Sequence, residues 1–188
     1  MIQRAFVLAC VFLFSTFSQA EVTTSASAEK TPSEITIGVI PGGNPENLRE
    51  QSLALAKELQ ARMNIPVNMY VSKNYAGLVE AMRTKKVDFA FFSSSTFVLA
   101  EKEAQAKVLL KKVWAEPYYY SALITPTNSG IKKLEDLKGK RIAFVDENSS
   151  SGYLYPRVVF KKKGLQSKDF KEVVFSGNHQ ASIQLLEN

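Results

Sequence analysis

From Glu34 to Ala106 the chain three times places a short apolar run ahead of a stretch with helical periodicity, and that alternation leaves few architectures open. Ile35, Ile37, Val39 and Ile40 form the first run, broken by Pro41-Gly42-Gly43-Asn44-Pro45, residues suited to a tight turn. Leu48, Ser52, Leu55, Ala56, Leu59 and Met63 then recur at helical spacing, and Asn64 before Ile65-Pro66 ends the helix. Residues 67–71 read as a second strand, and Tyr75, Leu78, Val79 and Met82 trace a second helix. Residues 87–92 are almost wholly apolar, as strands covered on both faces are. They run into Ser93-Ser94-Ser95-Thr96 and a third helix reaching about Ala106. This order predicts an α/β fold with a parallel sheet, whose ligands bind beyond the carboxyl ends of the strands.

The pattern changes after Lys107. Two strand-like runs, 108–114 and 118–125, are joined by Ala115-Glu116-Pro117 with no helix between them, which reads as a crossover into a second lobe. A new unit follows: a short helix over 131–137, a strand over 141–145, a helix to Lys163-Gly164, a strand over 172–175 and a last helix begun near Gln180. The apolar face of that last helix, Ile183, Leu185 and Leu186, has no later element to pack against. The expected division is therefore a first lobe over 34–120 and a second, incomplete lobe over 121–188.

The first twenty residues have another origin. Arg4, the apolar run 5–14 and Ser18-Gln19-Ala20 before Glu21 form the pattern of a secretory signal peptide cleaved near Ala20. Residues 21–33, small and polar, read as a flexible leader. Cys10, the single cysteine, lies inside the apolar run, too early for lipid attachment, and would leave with the signal peptide. The exported chain then has no thiol, disulfide or thiolate metal cluster. The net charge of the whole sequence, +6, is scattered among acidic residues, a solvated surface with a mild preference for anions and not the basic, aromatic-studded face of a nucleic-acid protein.

Hydroxyls open helices twice, at 93–96 and in the turn Asp146-Glu147-Asn148-Ser149-Ser150-Ser151-Gly152 that follows the strand 141–145. A helix N-terminus offers unpaired N–H groups and a positive dipole end, so Ser149, Ser150 and Ser151 describe an oxyanion site. The bland alternative is a polar cap satisfying those same N–H groups. Pro156 would cost a backbone bond in a helix begun at Ser151, so either an irregular first turn or a later start is expected. Ser93, Ser94, Ser95 and Thr96 are first-lobe donors or caps; Tyr75 is a ligand contact or core; Tyr118, Tyr119 and Tyr120 alternate along an expected strand, which leaves one or two to line the cleft, with packing as the default. Catalysis lacks its parts: there is no Gly-x-Ser-x-Gly elbow, no P-loop and no second histidine beside His179. One histidine and dispersed carboxylates make no metal site, and no cofactor is expected.

Four local patterns, in order, carry a resemblance: Asn74-Tyr75-Ala76-Gly77, Val87-Asp88-Phe89-Ala90, Asn148-Ser149-Ser150-Ser151-Gly152 and Ser176-Gly177-Asn178-His179. With the signal peptide they resemble the phosphonate-binding proteins of ABC importers, the phosphate/phosphite/phosphonate branch of the type II periplasmic binding proteins, from Ile35 to Asn188. The resemblance implies two α/β lobes joined at a hinge and closing on a small oxyanion, with delivery to an ABC permease. It implies that Tyr75 reaches the ligand, that Ser149, Ser150 and Ser151 grip its oxygens, and that His179 approaches from the following loop. Phe92 stands where members that bind aminoalkyl phosphonates have a tyrosine. The family's return to the first lobe would lie beyond Asn188, so the chain is expected to be the N-terminal two-thirds of a binding protein, monomeric and without nucleic-acid partners. An extracytoplasmic anion-sensing domain is the alternative.

Overall fold

A computed structural model of the chain describes residues 32–40, 42–113 and 115–187. The signal peptide, most of the leader and Cys10 lie outside the described residues. Pro32–Asn188 is one compact unit containing two parallel sheets.

The first sheet is built from β1 (Ile35–Val39), β2 (Val67–Val71) and β3 (Phe89–Phe91) in the order β2-β1-β3, all parallel, with Ile37 facing Met69 on one side and Phe89 on the other. Three helices connect and follow these strands: α1 (Pro45–Met63), α2 (Tyr75–Arg83) and α3 (Ser94–Ala104). Asn44 starts α1 by accepting from the Glu46 N–H at 2.8 Å, and Asn64, at φ 54°, stops it. One sheet face buries Ile35, Ile37 and Val67 against Ala56; the other carries Leu78, Ala81 and Val87. Each of these aliphatic side chains contributes about 1.5–3 kcal/mol by leaving water. Gly38 is required here, because a Cβ would collide with Leu78 Cδ1 and stand 3.2 Å from Val87 Cγ1.

Two expectations fail in this half. The strand expected over 87–92 is only three residues long, and it is not covered on both faces: Phe89 and Phe91 are exposed, while Ala90 packs inward. As the edge of its sheet β3 has one neighbour, and its apolar composition is not a sign of double coverage. The runs expected as strands over 108–114 and 118–125 form none among the described residues. Strand-like composition needs a ladder partner to become a strand, and neither sheet supplies one. Leu109, Leu110 and Tyr120 are 75, 69 and 82% exposed.

The second sheet pairs β4 (Arg141–Phe144) with β5 (Glu172–Phe175), parallel, with Phe144 opposite Phe175. The helix expected over 131–137 is a single 3-10 turn, Leu134–Leu137. Beyond β4 come a π-helical turn, Ser150–Leu154, and α4 (Tyr155–Lys162); beyond β5 comes α5 (His179–Glu187). Leu137, Ile142, Phe144, Phe160 and Leu165 form the core of this half. The α5 residues Ile183, Leu185 and Leu186 are exposed, as the sequence leads one to expect.

Candidate functional site

Pro156 explains the local geometry of the serine turn. It has no N–H to give to the carbonyl four residues back, and its ring crowds that position. The Gly152 carbonyl is accordingly turned to the Val145 N–H at 3.1 Å, while the Leu154 N–H reaches back five residues to the Ser149 carbonyl at 3.0 Å. The expected irregular first turn and later start are both found: the π-turn ends at Leu154 and α4 places Pro156 in its first turn, where a missing N–H costs nothing. Gly152 has no room for a side chain, since a Cβ would run into Val145 and lie 2.9 Å from Ser149 Oγ. Asp146 holds the front of the turn, accepting from the Asn148 N–H at 2.8 Å. Tyr153 anchors the back, its ring edge-on to Phe144 at 5.0 Å and to Phe175 at 5.2 Å.

The turn meets the start of α3 directly. Ser150 Oγ accepts the Ser95 N–H at 2.9 Å and lies 2.8 Å from Ser95 Oγ. Ser95 Oγ donates to the Asn148 carbonyl, and so does Thr96 Oγ1, at 3.2 Å. Ser93 caps α3 and lies 2.7 Å from Thr96 Oγ1. Ser149 caps the π-turn, accepting the Gly152 N–H at 3.1 Å. Ser149, Ser150 and Thr96 are almost wholly buried, and among the described residues no buried side-chain nitrogen or oxygen lacks a hydrogen-bond partner.

Tyr75 joins the same cluster from the start of α2, which Asn74 caps through the Gly77 N–H at 2.7 Å. The residue is buried, and its phenol lies beside Ser149. Burial pushes the phenol above its ordinary range, the neighbouring Ser149 partly offsets this, and Asp146 nearby adds to the rise. Tyr75 is therefore a neutral hydrogen-bond donor at physiological pH.

Of the residues expected from the sequence, Tyr75, Ser93, Ser149 and Ser150 come together. Ser94 and Ser151 stand at the margin: Ser94 lines a cavity of about 180 Å³ with Ser95, Ser150, Leu154 and Tyr155, and the Ser151 carbonyl takes a hydrogen bond from Ser121 at 2.6 Å. The Ser151 hydroxyl is committed to no other described residue. Phe92 lies elsewhere, packed against Leu78, Ala81 and Val87. His179 is the first residue of α5 and largely solvent-accessible, and partial desolvation holds its imidazole below the ordinary histidine range. Within the run 93–96, read from the sequence as donors or caps without distinction, the residues that meet the turn directly are Ser95 and Thr96. Their only signal was membership of the 93–96 run, whose helical phase decides which hydroxyls face the turn. A larger cavity, of about 290 Å³, lies among Tyr153, Arg157, Phe160, Lys161 and Phe170, and none of the expected residues lines it.

The cluster is a set of neutral donors at helix starts, beyond the carboxyl ends of parallel strands. It has no partnered base beside a hydroxyl, and among the described residues no three His, Cys, Asp or Glu side chains gather around a metal position. Such a surface offers the kind of donors that hold an anion.

Known proteins agree with that chemistry. The chain is 31% identical over 187 residues to the phosphonates-binding periplasmic protein of Escherichia coli, covering 96% of this chain and 55% of that one. It is 31% identical over 193 residues to the phosphate-import protein PhnD of Mycolicibacterium smegmatis, covering 96% and 60%. Its fold matches PhnD1 of Prochlorococcus marinus, solved in complex with methylphosphonate, with a TM-score of 0.65 at 26% identity, over 83% of this chain and 60% of that one. The chain thus spans little more than half the length of these relatives. The fold is that of the periplasmic binding proteins, and these relatives are binding proteins, not enzymes. The family model for the periplasmic phosphonate substrate-binding protein of ABC transporters matches residues 37–188, from within β1 through the serine turn and β5, and the chain belongs to that family.

Proposed function

We propose that this chain is the solute-capturing part of a periplasmic ABC-importer binding protein, and that it takes a phosphonate, phosphite or phosphate-like oxyanion between its two α/β halves. One observation carries the reading: a buried hydroxyl cluster draws Tyr75 and Ser95 from the first half and Ser149 and Ser150 from the second. All four stand beyond the carboxyl ends of parallel strands, where α/β proteins bind their ligands. The opening N–H groups of the π-turn and the Ser151 hydroxyl add donors, and the neutral imidazole of His179 stands on the loop side. The names of the relatives, concerned with phosphonates, phosphate import and methylphosphonate, share one chemistry, a tetrahedral phosphorus oxyanion. In this reading lobes over 34–120 and 121–188 close on the ligand. The protein reaches the periplasm through the signal peptide and hands its cargo to a permease in the inner membrane.

The energetics are adequate. Four charge-assisted hydrogen bonds at about 1.5–3 kcal/mol each exceed an association cost of at least about 4 kcal/mol, and micromolar binding needs about −8 kcal/mol. Calorimetry against phosphate, phosphite and methylphosphonate tests this. Heat is expected with at least one of them, and Ser151→Ala, which breaks no internal bond of its hydroxyl, should weaken binding by about 10- to 150-fold, the loss of one bond to a charged group. No heat with any of the three, or an unweakened Ser151→Ala, overturns the reading.

A further inference from the structure

The hydroxyl protons of the cluster can be assigned one by one. Ser95 Oγ gives its proton to the Asn148 carbonyl, so the proton in the 2.8 Å contact between Ser95 Oγ and Ser150 Oγ belongs to Ser150. Thr96 Oγ1 likewise gives its proton to the Asn148 carbonyl, so the one in its 2.7 Å contact with Ser93 belongs to Ser93. The protons of Ser93, Ser95, Thr96 and Ser150 all run toward one acceptor, the carbonyl of Asn148. The single proton of Ser150 is committed to Ser95 Oγ, while its oxygen accepts the Ser95 N–H.

An oxyanion that takes a hydrogen bond from Ser150 therefore has to displace Ser95. We propose that Ser95 is an affinity-setting residue that competes with the ligand: its hydroxyl holds the proton of Ser150 in the ligand-free protein and latches the start of α3 to the serine turn. This rests on the reading of the cluster as the oxyanion site. It differs from assigning Ser95 as one more ligand donor, because the two roles give opposite signs on removal. A competitor, once removed, leaves the Ser150 proton free; a donor, once removed, takes a bond from the ligand.

The test is Ser95→Ala, which keeps the backbone N–H to Ser150 and places a good helix former in the first turn of α3. Calorimetry with phosphate and methylphosphonate is expected to give binding about 2- to 10-fold tighter than wild type, the equivalent of one neutral hydrogen bond. Hydrogen–deuterium exchange without ligand is expected to speed up at the amides of residues 148–152, where the latch is lost. Heat from the wild type with equal or weaker binding by Ser95→Ala overturns the competition alone. No heat from either protein overturns the oxyanion reading and the competition with it. Unchanged exchange at 148–152 overturns the latch, whatever the calorimetry gives.

Discussion

Tyr75 concentrates several demands in one side chain. It is the first residue of α2, it packs in the interior, and its phenol lies beside Ser149. A raised value for an acid that is neutral when protonated means that the folded chain holds this proton more tightly than the unfolded chain does. The stabilisation is therefore whole below the unfolded value, about pH 10, and is lost as pH rises through the folded value. Phenolate absorbance should show Tyr75 among the last of the seven tyrosines to ionise, with that late step missing in Tyr75→Phe. Urea midpoints measured from pH 9 upward should fall more steeply in the wild type than in Tyr75→Phe; parallel curves would count against a buried phenol.

Among the elements, the π-turn has the narrowest tolerance. Its wide hydrogen bonds exist because Pro156 withholds an N–H, and its close approach to β4 exists because residue 152 has no side chain. Gly152→Ala pushes a methyl group into Val145 and toward Ser149 Oγ, and overpacking of this kind costs about 1–3 kcal/mol. A urea midpoint lowered accordingly, with oxyanion binding weakened because Ser149 and Ser150 shift, is the expected outcome. An unchanged midpoint would mean that β4 yields instead. The composition of the turn was legible in the sequence, and so was the irregular helix start, because the chemistry of proline is local. The phase of α3 was not: which of Ser93, Ser94, Ser95 and Thr96 meets the turn depends on where the second sheet sits against the first.

For the molecule as a whole, the segment between the two sheets is the part most unlike its expectation. Val108, Leu109, Leu110, Tyr118, Tyr120 and Ile124 are all more than half exposed, although their composition is that of strands. A solvatochromic dye for apolar surface should bind the chain here. Leu109→Ser with Leu110→Ser should lower that signal with a thermal midpoint little changed, since substitutions at such exposed sites usually stay within about 0.5 kcal/mol each. A marked drop in the midpoint would show instead that these residues pack. By itself the sequence determined the alternation of strands and helices up to Ala106, the parallel pairing, the irregular turn ahead of Pro156 and the family, because periodicity and proline chemistry act over a few residues. Only the tertiary structure decided that Phe92 packs against Leu78, Ala81 and Val87, that β3 is a bare edge and that the described residues of 108–125 join neither sheet. It also decided that the central hydroxyl of the serine turn spends its proton on Ser95, because each of these depends on which element arrives from far away in the chain to fill a neighbour's open side.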